Sequence, residues 1–222
     1  MKAIFDMASP TIPVREIPVS ASAVVQEGQL LALSGGLAVL SAANRTTAVL
    51  GVALENHPGE ADMLNPRSNG TRILAAVGPH TVYAADAPVL TATDGSSTTV
   101  VASGLSTFSN DDLNGWTLML RSKSPESANP DAPGTLYSVT DYVASTKTLT
   151  VDGLGGAVTE GDTFWAFPSA GPLKALLNSG RDGLTLNGAT AVNLPLQVVA
   201  CDYEHRQVHL YPLLHEYGNK RL

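Results

Sequence analysis

The chain has 222 residues, of which 44% are hydrophobic and 15% charged, with 13 Lys and Arg against 20 Asp and Glu. So few basic residues exclude the electrostatic footprint of a nucleic-acid-binding protein, and no apolar run is long enough for a transmembrane helix. A single cysteine, Cys201, excludes an internal disulfide and a cysteine-rich zinc site, and we expect it to be a buried apolar residue.

The first twenty residues contain three prolines, Pro10, Pro13 and Pro18. Because proline fixes φ and removes a hydrogen-bond donor, residues 1–20 are predicted to form an extended arm rather than a helix. Such an arm either lies on a neighbouring molecule or is a free terminus. In the first case its apolar residues are candidate contacts: Ile12, Val14 and Ile17. The opening residues also lack the basic segment and apolar core of a secretory signal.

From Val24 onward the sequence is typical of β-structure. Short β-branched or aromatic segments alternate with turn residues, as in GQLLALSGGLAVLS, where two strands flank a Gly-Gly turn. Later segments repeat this organisation, with turn signals at Asn69-Gly70 and Asp94-Gly95 and a strand over Thr71–Val77. We therefore expect an all-β sandwich or barrel.

The segment GPLKALLNSGRDG departs from this β pattern. Pro172 suits the first position of a helix, three leucines share one helical face, and Gly180 suits the residue after its end. A short helix is therefore predicted near residues 172–179. The following segment, LPLQVVACDYEHRQVHLYPLL, is predicted to form a hairpin with its turn near Glu204–Arg206.

The composition divides the chain into two units. Residues 91–171 are rich in Ser, Thr, Gly and Asp and hold both tryptophans, whereas the flanking residues are richer in Val, Leu and Ala. We therefore expect one β-domain, built from residues 21–90 and 172–222. It is interrupted by an inserted β-sandwich or barrel lobe, residues 91–171.

The glycine cluster GLGGAVTEGD bears a superficial likeness to a phosphate-binding loop. Gly156 and Gly161 have the spacing of a P-loop, but Asp162 stands where that loop has lysine, and an acid there would repel phosphate. Gly153 and Gly155 lack the third glycine of the dinucleotide-binding fingerprint. The cluster is therefore predicted to be a β-turn before the strand DTFWAF.

Ser34, within ALSGG, loosely matches the nucleophile elbow of α/β-hydrolases. That elbow requires a helix after the serine, whereas the following LAVLSAANRT is β-like and ends in turn residues. A hairpin turn is the preferred interpretation, and ester hydrolysis through Ser34 is the alternative.

Two groups of ionisable residues suggest metal binding or catalysis. His205 and His209 are four residues apart, but on a strand that separation is about 13 Å, beyond the reach of one metal ion. The aspartates have no spacing that fixes a catalytic pair or a calcium loop, and those beside Asn114-Gly115 are typical of turns. These aspartates are Asp111, Asp112, Asp131 and Asp141. The sequence predicts no catalytic, cofactor or metal site, with adventitious calcium as the alternative.

Trp116 and Trp165 have two interpretations. They form the small core of the lobe, or they provide an exposed platform for carbohydrate or for a protein partner. The low charge of the chain favours contact with other proteins, because charged side chains are depleted in the cores of interfaces. A structural or binding role is therefore favoured over catalysis.

Residues 108–168 resemble a β-module that recurs in structural proteins of tailed bacteriophages. In that module an Asn-Asp-x-x-Asn-Gly-x-x-Leu segment precedes a strand, a Thr-Asp-Tyr segment and a Thr-Leu-Thr-Val strand follow, and a Gly-Asp-x-Phe strand closes it. The matching positions here are Asn110, Asp111, Asn114, Gly115, Leu118, Val139, Thr140, Asp141, Tyr142, Leu149, Thr150, Val151, Gly161, Asp162 and Phe164. The module often has Gly-Gln or Gly-Glu before Thr-Asp-Tyr, where this chain has Gly134-Thr135-Leu136.

The flanking segments are more weakly similar to small head-decoration proteins of phages, through Val24–Leu31, Gly35-Gly36 and Leu50-Gly51-Val52-Ala53. The second resemblance implies a compact barrel or tulip-like fold for residues 21–90 and 172–222. Together the resemblances imply a capsid decoration protein, made in the host cytoplasm, that binds the outside of the shell without a cofactor and projects the lobe of residues 91–171 outward. They imply the major capsid protein and two further copies of the chain, in a homotrimer, as partners, with no membrane or nucleic acid. Three further candidate contacts are Trp116, Tyr142 and Trp165. The alternative is a receptor- or glycan-binding domain of a tail or head fibre, in which a tryptophan stacks on the ligand.

Overall fold

The structure, a computed structural model, confirms the all-β class. It describes residues 1–8, 11–42, 46, 48–59, 72–105, 107–177, 184–186 and 192–213. Strands account for 52% of these described residues and helical residues for 2%. In the described ranges the helical residues are one 3-10 turn, Ser103–Leu105.

The described residues form twenty strands, and every ladder between them is antiparallel. In chain order they are β1 (Lys2–Asp6), β2 (Val14–Pro18), β3 (Val24–Val25), β4 (Leu30–Ser34), β5 (Leu37–Leu40), β6 (Gly51–Ala53), β7 (His57–Pro58), β8 (Arg72–Ala76), β9 (Thr81–Asp86), β10 (Val89–Thr91), β11 (Asp94–Gly95), β12 (Thr99–Val101), β13 (Thr117–Ser122), β14 (Leu136–Val143), β15 (Thr148–Asp152), β16 (Thr163–Phe167), β17 (Gly171–Leu177), β18 (Leu184–Thr185), β19 (Val192–Asp202) and β20 (Gln207–Pro212). They make three larger sheets and one two-stranded pair, β3 with β7.

A five-stranded sheet has the order β2-β8-β6-β4-β5 and is built near the N-terminal end of the sequence. Its two edge strands approach each other, since Val19, just after β2, forms a parallel bridge with Ala38 of β5. The sheet is therefore curled around its own apolar core, although no continuous ladder closes it in the described residues. The β4–β5 turn places Gly35 and Gly36 at positive φ, 58° and 82°, which confirms the predicted Gly-Gly hairpin after Ser34.

A seven-stranded sheet, β10-β16-β13-β14-β15-β12-β11, is built wholly from residues 89–167. Its edge strands β10 and β11 are separated in sequence by only two residues, Ala92 and Thr93. The amide of Ala92 donates to the carbonyl of Asp162, and the amide of Thr93 donates to the carbonyl of Val101, both at 2.8 Å. These two residues therefore bring the opposite edges of the sheet together, and the sheet curls around its core.

The core of the seven-stranded sheet contains one side chain from far along the sequence. Leu186, directly after β18, is 2% exposed and packs with the core residues of the lobe. It also lines a small apolar void there, with Trp116 and Leu118 among its neighbours. The lobe core is therefore completed by a residue that lies outside 91–171. The division into an inserted lobe and a flanking domain stays a prediction.

Truncation of Leu186 is expected to loosen the lobe. Leu186→Ala should lower the free energy of unfolding by about 2–4 kcal/mol, because it removes buried apolar contacts and enlarges an existing void. Urea titration followed by tryptophan fluorescence measures this loss, since Trp116 lines the same void. Leu54→Ala, at a side chain that is 37% exposed, is the matched control. If both substitutions change the free energy of unfolding by the same small amount, Leu186 does not belong to the lobe core.

The third sheet, β1-β9-β20-β19-β17-β18, has six strands and combines both ends of the sequence. Two local fold predictions are wrong. The turn predicted at Asp94-Gly95 is strand β11, and the chain turns after it, between Gly95 and Thr99. The helix predicted near 172–179 lies in the six-stranded sheet, where Gly171–Leu177 is strand β17. The run LKALL fits either structure, and pairing with β19 decides for the strand. Pro172, which has no backbone N–H, lies beside a register shift of the β17–β19 ladder. Proline is tolerated at such irregular positions of a strand.

The predicted N-terminal arm is extended at Lys2–Asp6 and Val14–Pro18, but these residues pair within the chain. Strand β1 adds to β9 at one edge of the six-stranded sheet, and β2 adds to β8 at one edge of the five-stranded sheet. The side chain of Ile17 is 3% exposed and belongs to the core of the five-stranded sheet. In this conformation Ile17 is therefore not available to a partner.

Other local predictions have mixed outcomes. The final hairpin is confirmed, since β19 ends at Asp202 and β20 begins at Gln207. The strand predicted at Thr71–Val77 corresponds to β8, whereas the turn signal Asn69-Gly70 falls outside the described residues. Cys201 is half-buried rather than fully buried; its Sγ lies 3.4 Å from the carbonyl oxygen of Pro168, and burial raises the pKa of the thiol to about 11.

Candidate functional site

Two of the predicted contact residues, Trp116 and Tyr142, lie in the core of the seven-stranded sheet. Trp116 is 5% exposed and packs edge-on against Phe108, with ring centroids 6.3 Å apart. Tyr142 is fully buried, and its hydroxyl donates a 2.5 Å hydrogen bond to the carbonyl of Leu105. Burial raises the pKa of Tyr142, and the nearby carboxylate of Asp112 raises it further. Both side chains support the lobe and are not surface contacts.

The first segment of the phage-like module, residues 110–115, forms a turn that is held by hydrogen bonds of its own side chains. The side-chain oxygen of Asn110 accepts a 2.8 Å hydrogen bond from the amide of Ala144, which ties the turn to the end of β14. The side-chain amide of Asn114 donates to the carboxylate of Asp111 at 2.9 Å. Asp111 and Gly115 have positive φ, 66° and 78°, a conformation that suits these residue types. The module residues of this segment therefore have a structural role, which is to hold this turn in its conformation.

Asp162 fixes the opposite side of the module. It is fully buried, and its carboxylate accepts hydrogen bonds from the amide of Ser124 at 2.8 Å, the hydroxyl of Ser127 at 2.8 Å and the amide of Thr159 at 3.0 Å. Buried carboxylates need such donors to offset the loss of hydration. Asp162 therefore connects the 124–127 loop to the turn before β16, in the place where a phosphate-binding loop would have lysine.

Asp131 and Asp112 also hold loops, each at a different place in the fold. Asp131 accepts hydrogen bonds from the hydroxyl of Tyr137 and the amide of Gly155. Asp112 accepts from the amide of Ser109 and forms an ion pair with Lys174 of β17. This ion pair links the lobe turn to the six-stranded sheet.

Metal-binding arrangements do not occur in the part of the chain that the structure describes. No group of three His, Cys, Asp or Glu side chains comes together there as a set of ligands. His205 lies in the β19–β20 turn. Its backbone amide donates a hydrogen bond to the carboxylate of Asp202, and its ring contacts the same carboxylate at 2.8 Å; both contacts lower the pKa of Asp202. His209 lies separately in β20. The same described ranges contain no helix that meets the length and apolarity of a membrane span.

The hydrolase alternative lacks its required geometry. Ser34 ends strand β4 and is followed by the Gly35-Gly36 turn and strand β5. A nucleophile elbow needs a helix at that point, so that backbone amides can stabilise the oxyanion. The structure therefore gives no support to ester hydrolysis through Ser34.

A row of apolar side chains crosses the outer face of the seven-stranded sheet. Met119 of β13 lies directly opposite both Leu136 of β14 and Trp165 of β16, and Trp165 lies opposite Val89 of β10. The alternate residues of these strands, such as Leu118 and Phe164, face the lobe core instead. Cross-strand pairs of this kind stabilise a sheet, and an element that covers them adds the gain from burial of their apolar surface.

The tip of the β19–β20 hairpin covers part of this row. Tyr203 packs edge-on against Phe167, with ring centroids 4.8 Å apart, and Met119 is 6% exposed. The cover is incomplete, since Leu136 and Tyr203 remain 46% and 40% exposed. A groove of about 470 Å³ follows this boundary, which we call the junction groove. Its lining residues are Met119, Leu120, Arg121, Pro133, Gly134, Leu136, Trp165, Tyr203, Glu204 and Arg206.

Trp165 is the predicted contact residue that lies at this groove. Its ring is half-buried, and the guanidinium carbon of Arg121 lies 5.0 Å from the ring centroid. This is a cation–π contact, which places the guanidinium of Arg121 over the ring. Because Arg121 covers one face of the ring, that face is not available for stacking on a sugar.

The two tryptophans are expected to respond differently to a collisional quencher. Acrylamide should quench Trp165 at the groove much more than Trp116, because the Trp116 ring is 5% exposed in the lobe core. Stern–Volmer measurements on Trp165→Phe and Trp116→Phe separate the two contributions. Most of the quenching should disappear with Trp165→Phe and persist with Trp116→Phe. The reverse result would contradict the placement of both rings.

A second group of exposed apolar residues lies on β1, directly after it and on β2. Val14 is 50% exposed, as predicted for a contact residue, and Phe5 and Met7 are 47% and 64% exposed. Ile12 is partly buried against the core beneath the six-stranded sheet. Of the predicted arm contacts, Val14 is therefore the one that is mainly accessible.

Sequence reasoning missed Leu136, Tyr203 and Arg121 as parts of the groove. A signal was present, because the strands GWTLMLRS and DTFWAFP carry consecutive large apolar residues rather than a strict alternation. Consecutive apolar residues in a strand indicate that both faces of the sheet are covered. The sequence pattern does not show which element covers the outer face; the fold shows that it is Tyr203.

Comparison of this chain with family models, with curated proteins and with solved structures finds no match.

Proposed function

We propose that this chain is a virion structural protein of a tailed phage that binds the outer surface of the capsid and stabilises the shell. The major capsid protein is its partner, and the chain acts as a homotrimer. The observation that carries the proposal is the structural role of the residues that match the phage-like module. These residues, from Asn110 to Asp162, form the internal scaffold of a β-lobe, while on the lobe's outer face Leu136 is 46% exposed and Trp165 is half-buried.

The proposed mechanism is thermodynamic linkage. A protein that binds the assembled, expanded shell and not its separated subunits stabilises the assembly by its binding free energy, about 2.7 kcal/mol when its concentration is one hundred times Kd. Symmetry repeats this gain at many sites on one particle. No bond is made or broken, which agrees with the separate structural roles of Asp112, Asp131 and Asp162.

The open sheet edges support self-association. Strand β1 is an edge of the six-stranded sheet and carries the exposed side chain of Phe5. An uncovered edge with apolar side chains tends to pair with another chain, and a closed ring satisfies this tendency without further growth. A trimer is such a ring.

Sedimentation of the protein with phage shells tests the proposal. Purified protein is mixed with expanded shells that lack it, taken from the phage that encodes it, and the shells are pelleted through sucrose. We expect the protein to pellet with the shells, in a saturable amount, and to raise the temperature at which they break. Absence from the pellet, together with binding to host cells or to a glycan array, would replace this proposal with the fibre-type receptor-binding function.

A further inference from the structure

We propose that the junction groove is the docking site for an extended, acidic protein segment that inserts one large apolar side chain. The inference deepens the proposed function and rests on it in one respect, the assignment of that segment to the shell protein. The chemistry of the segment follows from the groove itself, through its apolar side chains, its charge and its shape.

The apolar requirement comes from the outer face of the lobe sheet. Leu136 is 46% exposed at the start of β14, directly opposite the buried Met119. Tyr203 is 40% exposed on the opposite wall. Two large apolar side chains that flank a concave surface are typical of a contact site rather than of ordinary surface. A leucine or an aromatic side chain from a partner would complete the cover that the hairpin tip leaves unfinished.

The acidic requirement comes from the charged residues of the lining. These are Arg121, Arg206 and Glu204, so the groove carries an excess of positive charge in a chain of net charge −7. Within the described ranges neither guanidinium has a carboxylate within ion-pair distance. Segments that carry Asp or Glu complement such a groove, and segments that carry Lys or Arg are repelled.

The position of Arg121 prepares it for a carboxylate. Its guanidinium is held against the Trp165 ring, with 5.0 Å from the guanidinium carbon to the ring centroid. A planar guanidinium that already stacks on an aromatic ring loses little conformational freedom when its N–H groups bind a carboxylate in a bidentate manner. The same stack disfavours a sugar, which needs that face of the ring.

The shape of the groove favours an extended segment. Its walls come from different parts of the fold: β13, β14 and β16 on one side, and the β19–β20 turn on the other. The volume of about 470 Å³ accommodates a few residues of extended chain with one inserted side chain.

Selection from a ribosome-displayed library of random twelve-residue peptides tests the proposal. The immobilised proteins are the wild-type chain, Arg121→Glu and Leu136→Ser. Two controls carry the same changes away from the groove, Arg72→Glu and Val24→Ser, at exposed side chains of the five-stranded sheet and the β3–β7 pair. Circular dichroism and gel filtration establish that each variant is folded before selection.

We expect the wild-type chain and both controls to enrich peptides that place Asp or Glu beside a leucine or an aromatic residue. Affinity for those peptides should fall about tenfold or more with Arg121→Glu, because a favourable charge pair becomes a repulsive one. Leu136→Ser should weaken binding through lost apolar contact. No enrichment, a basic or neutral consensus, or equal binding by the groove variants would overturn the inference.

Shell sedimentation with the same variants separates the two proposals. If wild-type protein binds shells and the groove variants do not, the segment belongs to the shell. If the variants bind shells as well as wild type does, the groove is not the shell contact, and the proposed function stands without it. If wild-type protein does not bind shells, the proposed function fails, and the peptide selection still decides the chemistry of the groove.

Discussion

Replacement of Gly51 with alanine is expected to lower the free energy of unfolding by more than about 4 kcal/mol, a range reached only by severe backbone or core defects. Gly51 begins β6, and a Cβ atom built there would overlap the carbonyl oxygen of Ala76 and lie 2.9 Å from its carbonyl carbon. That carbonyl cannot easily move, because Ala76 is buried in β8 and accepts a hydrogen bond from the hydroxyl of Tyr83. Urea titration by circular dichroism measures the loss.

Gly36→Ala is the matched control for this prediction. Gly36 has a positive φ of 82°, and a Cβ atom built there would meet no other atom within 4 Å. The expected cost is only the strain of a left-handed residue, about 1–2 kcal/mol. If Gly51→Ala is as mild as Gly36→Ala, the close approach of β6 to β8 is not present in the folded protein.

Asp162→Ala is expected to have the second largest effect, a loss of about 3–4 kcal/mol in the free energy of unfolding. The substitution leaves the amides of Ser124 and Thr159 and the hydroxyl of Ser127 without their acceptor. Each unsatisfied buried donor costs about 1–3 kcal/mol, partly recovered where water reaches the loop. Asp162→Asn retains one acceptor oxygen and should have an intermediate effect.

Asp152→Ala provides the comparison for Asp162, because Asp152 is an exposed aspartate at the end of β15. Its substitution should change stability by less than about 0.5 kcal/mol. Hydrogen exchange adds a local measurement: with Asp162→Ala, the amides of 124–127 and 159 should exchange faster than in the control. Unchanged exchange there would mean that the carboxylate does not hold these loops together.

The turns and the β class were predictable because they depend on local chemistry. Gly35-Gly36 adopts two positive φ angles, and beside Asn114-Gly115 the carboxylate of Asp112 accepts a hydrogen bond from the backbone amide of Ser109, as their types indicate. Strand β17 was not predictable, because LKALL fits a helix or a strand until β19 lies beside it. The pairing partner of a segment depends on distant residues, which local propensity does not contain.

The candidate site was predictable only in part. Trp165 was identified from its residue type, but Trp116 has the same type and lies in the core. The two tryptophans differ in exposure because alternate residues of a strand face opposite sides of the sheet, and Trp165 lies on the outer face of β16, beside Met119 of β13. The contributions of Tyr203 and Arg206 arise because the β19–β20 turn, some forty residues later, folds over that face.

A density map of the intact virion would show directly whether this chain lies on the shell. We expect copies of the chain on the outside of the capsid, arranged as trimers, with the junction groove occupied by an extended segment of the shell protein. A map in which the shell surface carries no density for this chain, or in which the chain is found only in the tail or its fibres, would contradict the account.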